Sequence, residues 1–216
     1  MRNGSLFVSV VGPERFAQAV WDPYFYRLNR TGQRVNDYLR AGRLRSGSYT
    51  AHACPFAPVE YGDIPPGGYL SFSLRRPGGH GAGRWPTVGE QALLFGTMRA
   101  YLGNILVTPR AEWLGVAEIA FPVKSEFIEL TPLDGYIYFW WAYLRSHAFL
   151  KNVPLGSGGT RPRLDRESLL LTPVQVPPPE ERKILHQRLA ERAEAEWREH
   201  LKRSEILNSM AQSVDA

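Results

Sequence analysis

PPPEERKILHQRLAERAEAEWREHLKRSEILNSMA, residues 177–211, is the stretch from which the rest of the chain is read. Its prolines fix φ and withhold backbone donors until Pro179. That residue suits a first helical position, because an N–H there would lack an intrahelical partner anyway. The stretch then holds no Gly or Pro, Glu180 and Glu181 sit at the positive end of the helix dipole, and most later residues are strong helix formers. One helix of about 30 residues is predicted, about 45–50 Å long and well beyond the usual globular length. At about 100° per residue, Leu185, Leu189, Ala193, Leu207 and Met210 share one stripe, with Trp197 and Leu201 beside it. The run Leu185, Leu189, Ala193, Trp197, Leu201 is not heptad-spaced, so the apolar line wanders around the rod. Two readings follow. Either one face packs on a partner helix and another on the rod's own domain, or the whole helix folds back on its own globular part.

At 216 residues, 44% of them hydrophobic, the chain can form one globular body over residues 1–176 and this helix over residues 177–216. The most apolar run, residues 135–144, is too short to span a bilayer, and the amino terminus lacks the basic-then-apolar pattern of a signal peptide. Cys54 is the single cysteine, which excludes an internal disulfide and a multi-Cys zinc site and suits a reducing cytoplasm. The net charge of +5, with Arg far outnumbering Lys, favours a phosphate-bearing partner.

In the body, residues 5–11 alternate like a strand, and residues 29–45 predict a helix with Val35, Tyr38, Leu39 and Leu44 inward. Residues 46–89 are rich in Gly, Pro, Ser and Thr, with a strand-like island at residues 68–74. Here Arg75, Arg76 and Arg84 flank a glycine-rich loop, either a mobile basic loop that orders on nucleic acid or a plain surface loop. Further strands are expected at residues 92–95, 104–107, 116–121 and 127–130. Residues 133–150 turn helical with an aromatic belly that reads as core. A turn-rich loop over residues 155–164, a short element over 165–171 and an extended run over 173–177 lead into the long helix. The fold class is α+β, a mixed α/β body with a small twisted β-sheet and a long, coiled-coil-like C-terminal α-helix.

Catalytic signatures are missing. The five histidines are scattered, and His186 and His200 on the long helix have no ligand partners at zinc spacing. Lys124, Glu126 and Glu129 do not follow the order of a restriction nuclease and read as surface charges. Trp21-Asp22-Pro23-Tyr24 superficially resembles an amino-methyltransferase motif but lacks its second proline and any preceding glycine-rich nucleotide loop, so it reads as packing.

Five segments in order carry a more specific likeness. They are Gly89-Glu90 through Leu94, Arg99-Ala100-Tyr101-Leu102-Gly103, Ser146-His147-Ala148-Phe149, Gly158-Gly159-Thr160-Arg161-Pro162-Arg163-Leu164, and Val176-Pro177-Pro178-Pro179-Glu180-Glu181-Arg182. Together they resemble the target-recognition half of a type I restriction-modification specificity subunit over residues 85–212, with Arg182 where that family usually has Gln and one extra glycine in the loop. The resemblance implies a non-enzymatic protein without a cofactor of its own. It would bind double-stranded DNA and direct a separate modification subunit, which holds S-adenosylmethionine, and a restriction subunit. One recognition domain and one helix imply either a half-length subunit that pairs with itself through Leu185, Leu189, Ala193, Leu207 and Met210, or a fragment or fused-system module whose partner helix lies on another polypeptide. The expected DNA contacts are Arg75, Arg76, Arg84, Arg99, Tyr101, Arg161 and Arg163, since Arg grips guanine edges or phosphates. Arg75, Arg76 and Arg84 lie in the irregular region where base readers are expected, whereas Arg99 has a second reading as a structural turn residue. The competing function is a basic adaptor that dimerises through its helix and holds a protein partner.

Overall fold

Leu93, Leu94 and Phe95 are all fully buried because the sheet that contains them is covered on both faces. The computed structural model describes residues 32–42, 44–46, 56–75, 85–157 and 159–214, the side chains of 45–46 and 205–214 excepted. The expected strand at residues 5–11, the aromatic segment around Trp21, the glycine-rich loop with Arg76 and Arg84, and the side chains of Leu207 and Met210 lie outside what is described.

The main sheet is antiparallel, in the order β1 (Leu39–Ala41), β7 (Phe127–Pro132), β4 (Leu93–Gly96), β5 (Ile105–Val107). Its register sets Leu93 opposite Val107 and Leu130, and Phe95 opposite Ile105 and Ile128. Strand alternation sends Leu93, Phe95, Ile105 and Val107 into one core and Leu94 and Leu106 into another. The first core is roofed by α1 (Ile137–Arg145), α2 (His147–Leu150) and α3 (Arg166–Leu170). The second lies against a smaller antiparallel sheet ordered β2 (Arg45–Ser46), β3 (Pro86–Val88), β6 (Phe121–Pro122). The chain is thus a mixed α+β structure with small antiparallel sheets and a long C-terminal helix.

Several expectations give way to local chemistry. The described part of the helix predicted over residues 29–45, residues 32–42 and 44–45, is not α-helical. A 3-10 turn at Val35–Asp37 leads into β1, where Leu39 and Ala41 point inward and Arg40 outward. The Val35/Leu39 pair mimics a helical step, and the two-residue period of Leu39 and Ala41 against β7 overrides it. Residues 68–74 pair with no strand, because the Leu70 N–H donates at 2.6 Å to the Glu196 carboxylate instead. Of the strand expected at 116–121, only Phe121 falls within a strand, and a 3-10 turn at Ala111–Leu114 precedes it. The helix expected over 133–150 breaks at Ser146, which is extended and caps α2 by accepting from the Phe149 N–H at 3.3 Å. Its aromatic belly is core, with Tyr138, Phe139, Trp140 and Trp141 all buried.

The long helix, α4 (Pro179–Val214), begins at the proline expected to start it and runs 36 residues. Ala193 is 1% exposed in the first core and Trp197 is 1% exposed in the second, so this helix ties the two cores together. Arg182, His186 and Leu189 continue the inward line toward the helix start. Ala193 and Leu189 were expected to face a partner helix. They face the chain's own body instead, because a step of four lies close to the helical repeat and the line drifts only slowly around the rod. Leu185 stays outside at 42% exposure, beside Ile184 at 48%.

His186 accepts from the Tyr138 N–H at 3.3 Å, at the amino end of α1, and lies against Tyr136 and Tyr138. Burial pushes its pKa below the usual histidine value, with Arg110 acting the same way and Asp134 opposing. His200, packed on Trp197, is lowered by burial and by Arg203. Depressed folded values mean that the unfolded chain takes up protons first. The stability these two groups confer is therefore complete above about pH 6.5 and is lost as pH falls through their folded values. Urea midpoints should fall between pH 7.5 and pH 5.5, and His186→Gln with His200→Gln should flatten that slope. An unchanged slope would mean that neither ring is buried against the body.

Candidate nucleic-acid interface

Arg99 and Thr160, 61 positions apart, are brought together by hydrogen bonds between two loops. The Arg99 N–H donates to the Pro162 carbonyl at 2.8 Å, the Leu164 N–H to the Thr97 carbonyl at 3.0 Å, and Arg99 Nη2 to the Thr160 carbonyl at 3.2 Å. Within the second loop, Ser157 and Arg163 exchange two backbone bonds of 3.0 and 2.8 Å. That closure requires Gly156, whose φ is +81°, since a Cβ there would overlap the Arg163 carbonyl. Arg99 itself sits at φ 51° and ψ 50°, a left-handed conformation uncommon outside glycine, and opens the 3-10 turn Ala100–Leu102. Its structural reading therefore holds, and its side chain remains on the surface.

The result is a pair of joined loops carrying Arg99, Tyr101, Arg161 and Arg163, all exposed. Beside them lies an open groove of about 820 Å³, lined by Tyr101, Arg145, His147, Lys151, Leu155 and Thr160 among others. Arg145 forms part of its wall. It donates to the Ile105 carbonyl at 3.0 Å and to the Gly67 carbonyl, and lies over the Trp141 ring at 5.0 Å. Burial lowers the Arg145 pKa from the ordinary arginine value, yet the group stays a cation. Arginines and lysine thus lie in or beside this groove with an exposed aromatic, a combination able to clamp phosphates and stack on or grip bases.

Arg75 belongs elsewhere. Its Nε donates to Asp63 Oδ1 at 2.6 Å, and its Nη2 donates to Asp63 Oδ2 at 3.0 Å and to the Pro58 carbonyl at 2.9 Å. The hydrogen bond to buried Asp63 raises the Arg75 pKa. This arginine satisfies a buried carboxylate in its own loop while its side chain stays 45% exposed, which gives it a structural role beside its expected one as a DNA contact.

Two features had no signal in the sequence. Arg182 is buried and pairs with Asp134. Glu60, Tyr61, Met98, Lys124, Glu126 and Phe127 surround a smaller hollow of about 320 Å³. There Tyr61 Oη donates to the Glu126 carbonyl at 3.1 Å and accepts from the Met98 N–H at 3.1 Å, while Arg163 Nη2 approaches Glu126 Oε1 to 3.6 Å. Burial raises the Tyr61 pKa, which keeps the hydroxyl a neutral donor. These residues lie far apart in the chain, so no local spacing could have joined them.

Among the described residues no His/Cys/Asp/Glu cluster could hold a metal ion, and no helix is long and apolar enough to cross a membrane. No protein-family model matches the chain, and no curated protein matches it significantly.

Proposed function

We propose that the chain is the DNA-reading subunit of a type I-like restriction-modification system. It binds double-stranded DNA and directs a separate modification subunit, which holds S-adenosylmethionine, and a restriction subunit to their site. The observation that carries this reading is the union of the Arg99–Gly103 turn with the glycine-rich loop, which gathers exposed Arg99, Arg161 and Arg163 on two joined loops beside an open groove. Both segments belong to the ordered set of motifs that resembles a specificity subunit. Phosphate contacts from such loops give affinity that falls with salt, and base contacts give the sequence preference. The long helix acts as a spacer, and two copies join through it to read two half-sites. With Leu189 and Ala193 covered by the body, the twin helix seats on the outward side that carries Ile184 and Leu185.

A gel-shift salt series tests the reading. Binding at low salt should fall steeply as salt rises, and Arg161→Ala should weaken all duplexes alike and reduce the salt slope by about 1. No duplex binding at low salt overturns the proposal. Protein binding that is insensitive to salt would instead favour the adaptor. Light scattering of the purified chain tests the pairing, and a monomer at all concentrations overturns that part.

A further inference from the structure

Glu126 stands where a DNA-binding surface should not want a carboxylate. Its backbone is rigidly placed, because the Glu126 carbonyl accepts from Thr97 Oγ1 at 2.7 Å, from the Thr97 N–H at 2.9 Å and from Tyr61 Oη at 3.1 Å. Its side chain faces the smaller hollow, 26% exposed, and its ionic partner is the 63% exposed Arg163 at 3.6 Å. That distance is a charge contact rather than a hydrogen bond, and the carboxylate takes no hydrogen bond among the described residues. Arg163 is positioned as well, by its backbone exchange with Ser157 and by its bridge to Met98. Arg161, two residues earlier, makes no such bridge among the described residues and suits a phosphate.

We propose that Arg163 and Glu126 act as one unit that reads a G·C base pair in the major groove. The inference rests on the DNA-reading function above and adds a specificity-determining residue to it. A carboxylate is repelled by phosphates, so at this surface it lowers general DNA affinity unless a base edge offers it a donor. The G·C edge presents two guanine acceptors, N7 and O6, beside the cytosine N4 donor. A guanidinium supplies two donors and a carboxylate supplies the acceptor, so the pair complements that edge group for group. The A·T edge runs acceptor, donor, acceptor, and the same pair meets it with mismatched partners. Mutual attraction holds both side chains near one position before DNA arrives, which limits the ordering cost on binding.

The experiment is selection of duplexes from a random pool by the purified full chain, compared with Glu126→Gln, Arg163→Lys and Arg161→Ala, each checked by thermal melting. Wild type should require G·C at one position. Glu126→Gln and Arg163→Lys should each relax preference at that same position by about tenfold or more, while Arg161→Ala keeps the preference and binds more weakly throughout. If Glu126→Gln melts early, Arg163→Lys decides alone. An unchanged preference in Glu126→Gln and Arg163→Lys, or relaxation at two different positions, overturns the reading unit while leaving DNA recognition standing. Failure of wild type to enrich any sequence overturns DNA recognition itself.

Discussion

Trp197→Ala is expected to lower stability by about 3–5 kcal/mol and to release the middle of the long helix from the body. The indole is 1% exposed and meets Phe72 edge to face at 5.1 Å, in a core where it is the one buried α4 side chain among the described residues. Truncation leaves a cavity between the second core and the helix, bounded by Phe72 and by strand residues that the sheet holds in place. Polar ties sit one turn away: Arg192 Nε donates to Glu196 Oε1 at 2.6 Å, Arg192 Nη2 to the Gly68 carbonyl at 3.1 Å, and the Leu70 N–H to Glu196 Oε2 at 2.6 Å. The Arg192 ties are exposed and worth little without the packing beneath them, whereas the half-buried bond to Leu70 depends on Trp197 to keep Glu196 seated. Because a domain's whole stability is about 5–15 kcal/mol, this one change removes a large share of it. Urea unfolding should show the lower midpoint, and amide exchange along residues 190–204 should quicken first. Trp197→Phe, which keeps an aromatic edge on Phe72, should recover most of the loss. A Trp197→Ala protein that unfolds like wild type would mean that the helix is not seated on the body.

Much of this architecture could be read from the chain, and the failures share a cause. Pro179 announced the helix start because proline chemistry is local. The runs that became β4, β5 and β7 were legible because they are short runs of branched, aliphatic and aromatic residues, with Gly96 and Gly103 marking the turn between β4 and β5. What misled was the choice of partner. Leu189 and Ala193 carry an apolar stripe in either case, and a stripe does not say whether a twin or the chain's own body covers it. Residues 68–74 alternate like a strand, but the Leu70 and Ser71 donors are met by Glu196, more than 120 positions away, and the Ser73 donor by the Asp63 carbonyl.

The same distinction governs the candidate site. Motifs at fixed spacing single out Arg99, Tyr101, Arg161 and Arg163, and folding joins the two loops that carry them. Arg75 was flagged by charge alone, and charge could not reveal that Asp63 lies beneath it. Glu126 was passed over because an exposed Lys-Ser-Glu run is ordinary. Its interest comes only from Arg163 across the hollow.

Asp134→Ala is expected to cost about 3–5 kcal/mol, and Arg182→Met less than about 1 kcal/mol, although the two residues form one ion pair. The asymmetry follows from what each deletion strands. Asp134 Oδ1 accepts from Trp140 Nε1 and from the Tyr136 N–H, both at 3.0 Å, while Oδ2 takes Arg182. Removing Arg182 leaves the carboxylate with two donors and some water contact, and also removes a buried Nε that has no partner. Removing Asp134 leaves a buried guanidinium without its anion, held only over the Tyr38 ring at 5.2 Å, and it unpairs the Trp140 indole. The double variant Asp134→Ala with Arg182→Met should therefore be more stable than Asp134→Ala alone, since no buried charge is then uncompensated. A second consequence runs through His186, where the Asp134 charge opposes the lowering of its pKa by burial. Losing that charge depresses the folded value further, so the fall in stability below about pH 6.5 should deepen in Asp134→Ala. Urea midpoints at pH 7.5 and pH 5.5 for the three variants check both statements. An Asp134→Ala cost below about 1 kcal/mol would mean that the start of the long helix is not clamped to the body by this pair.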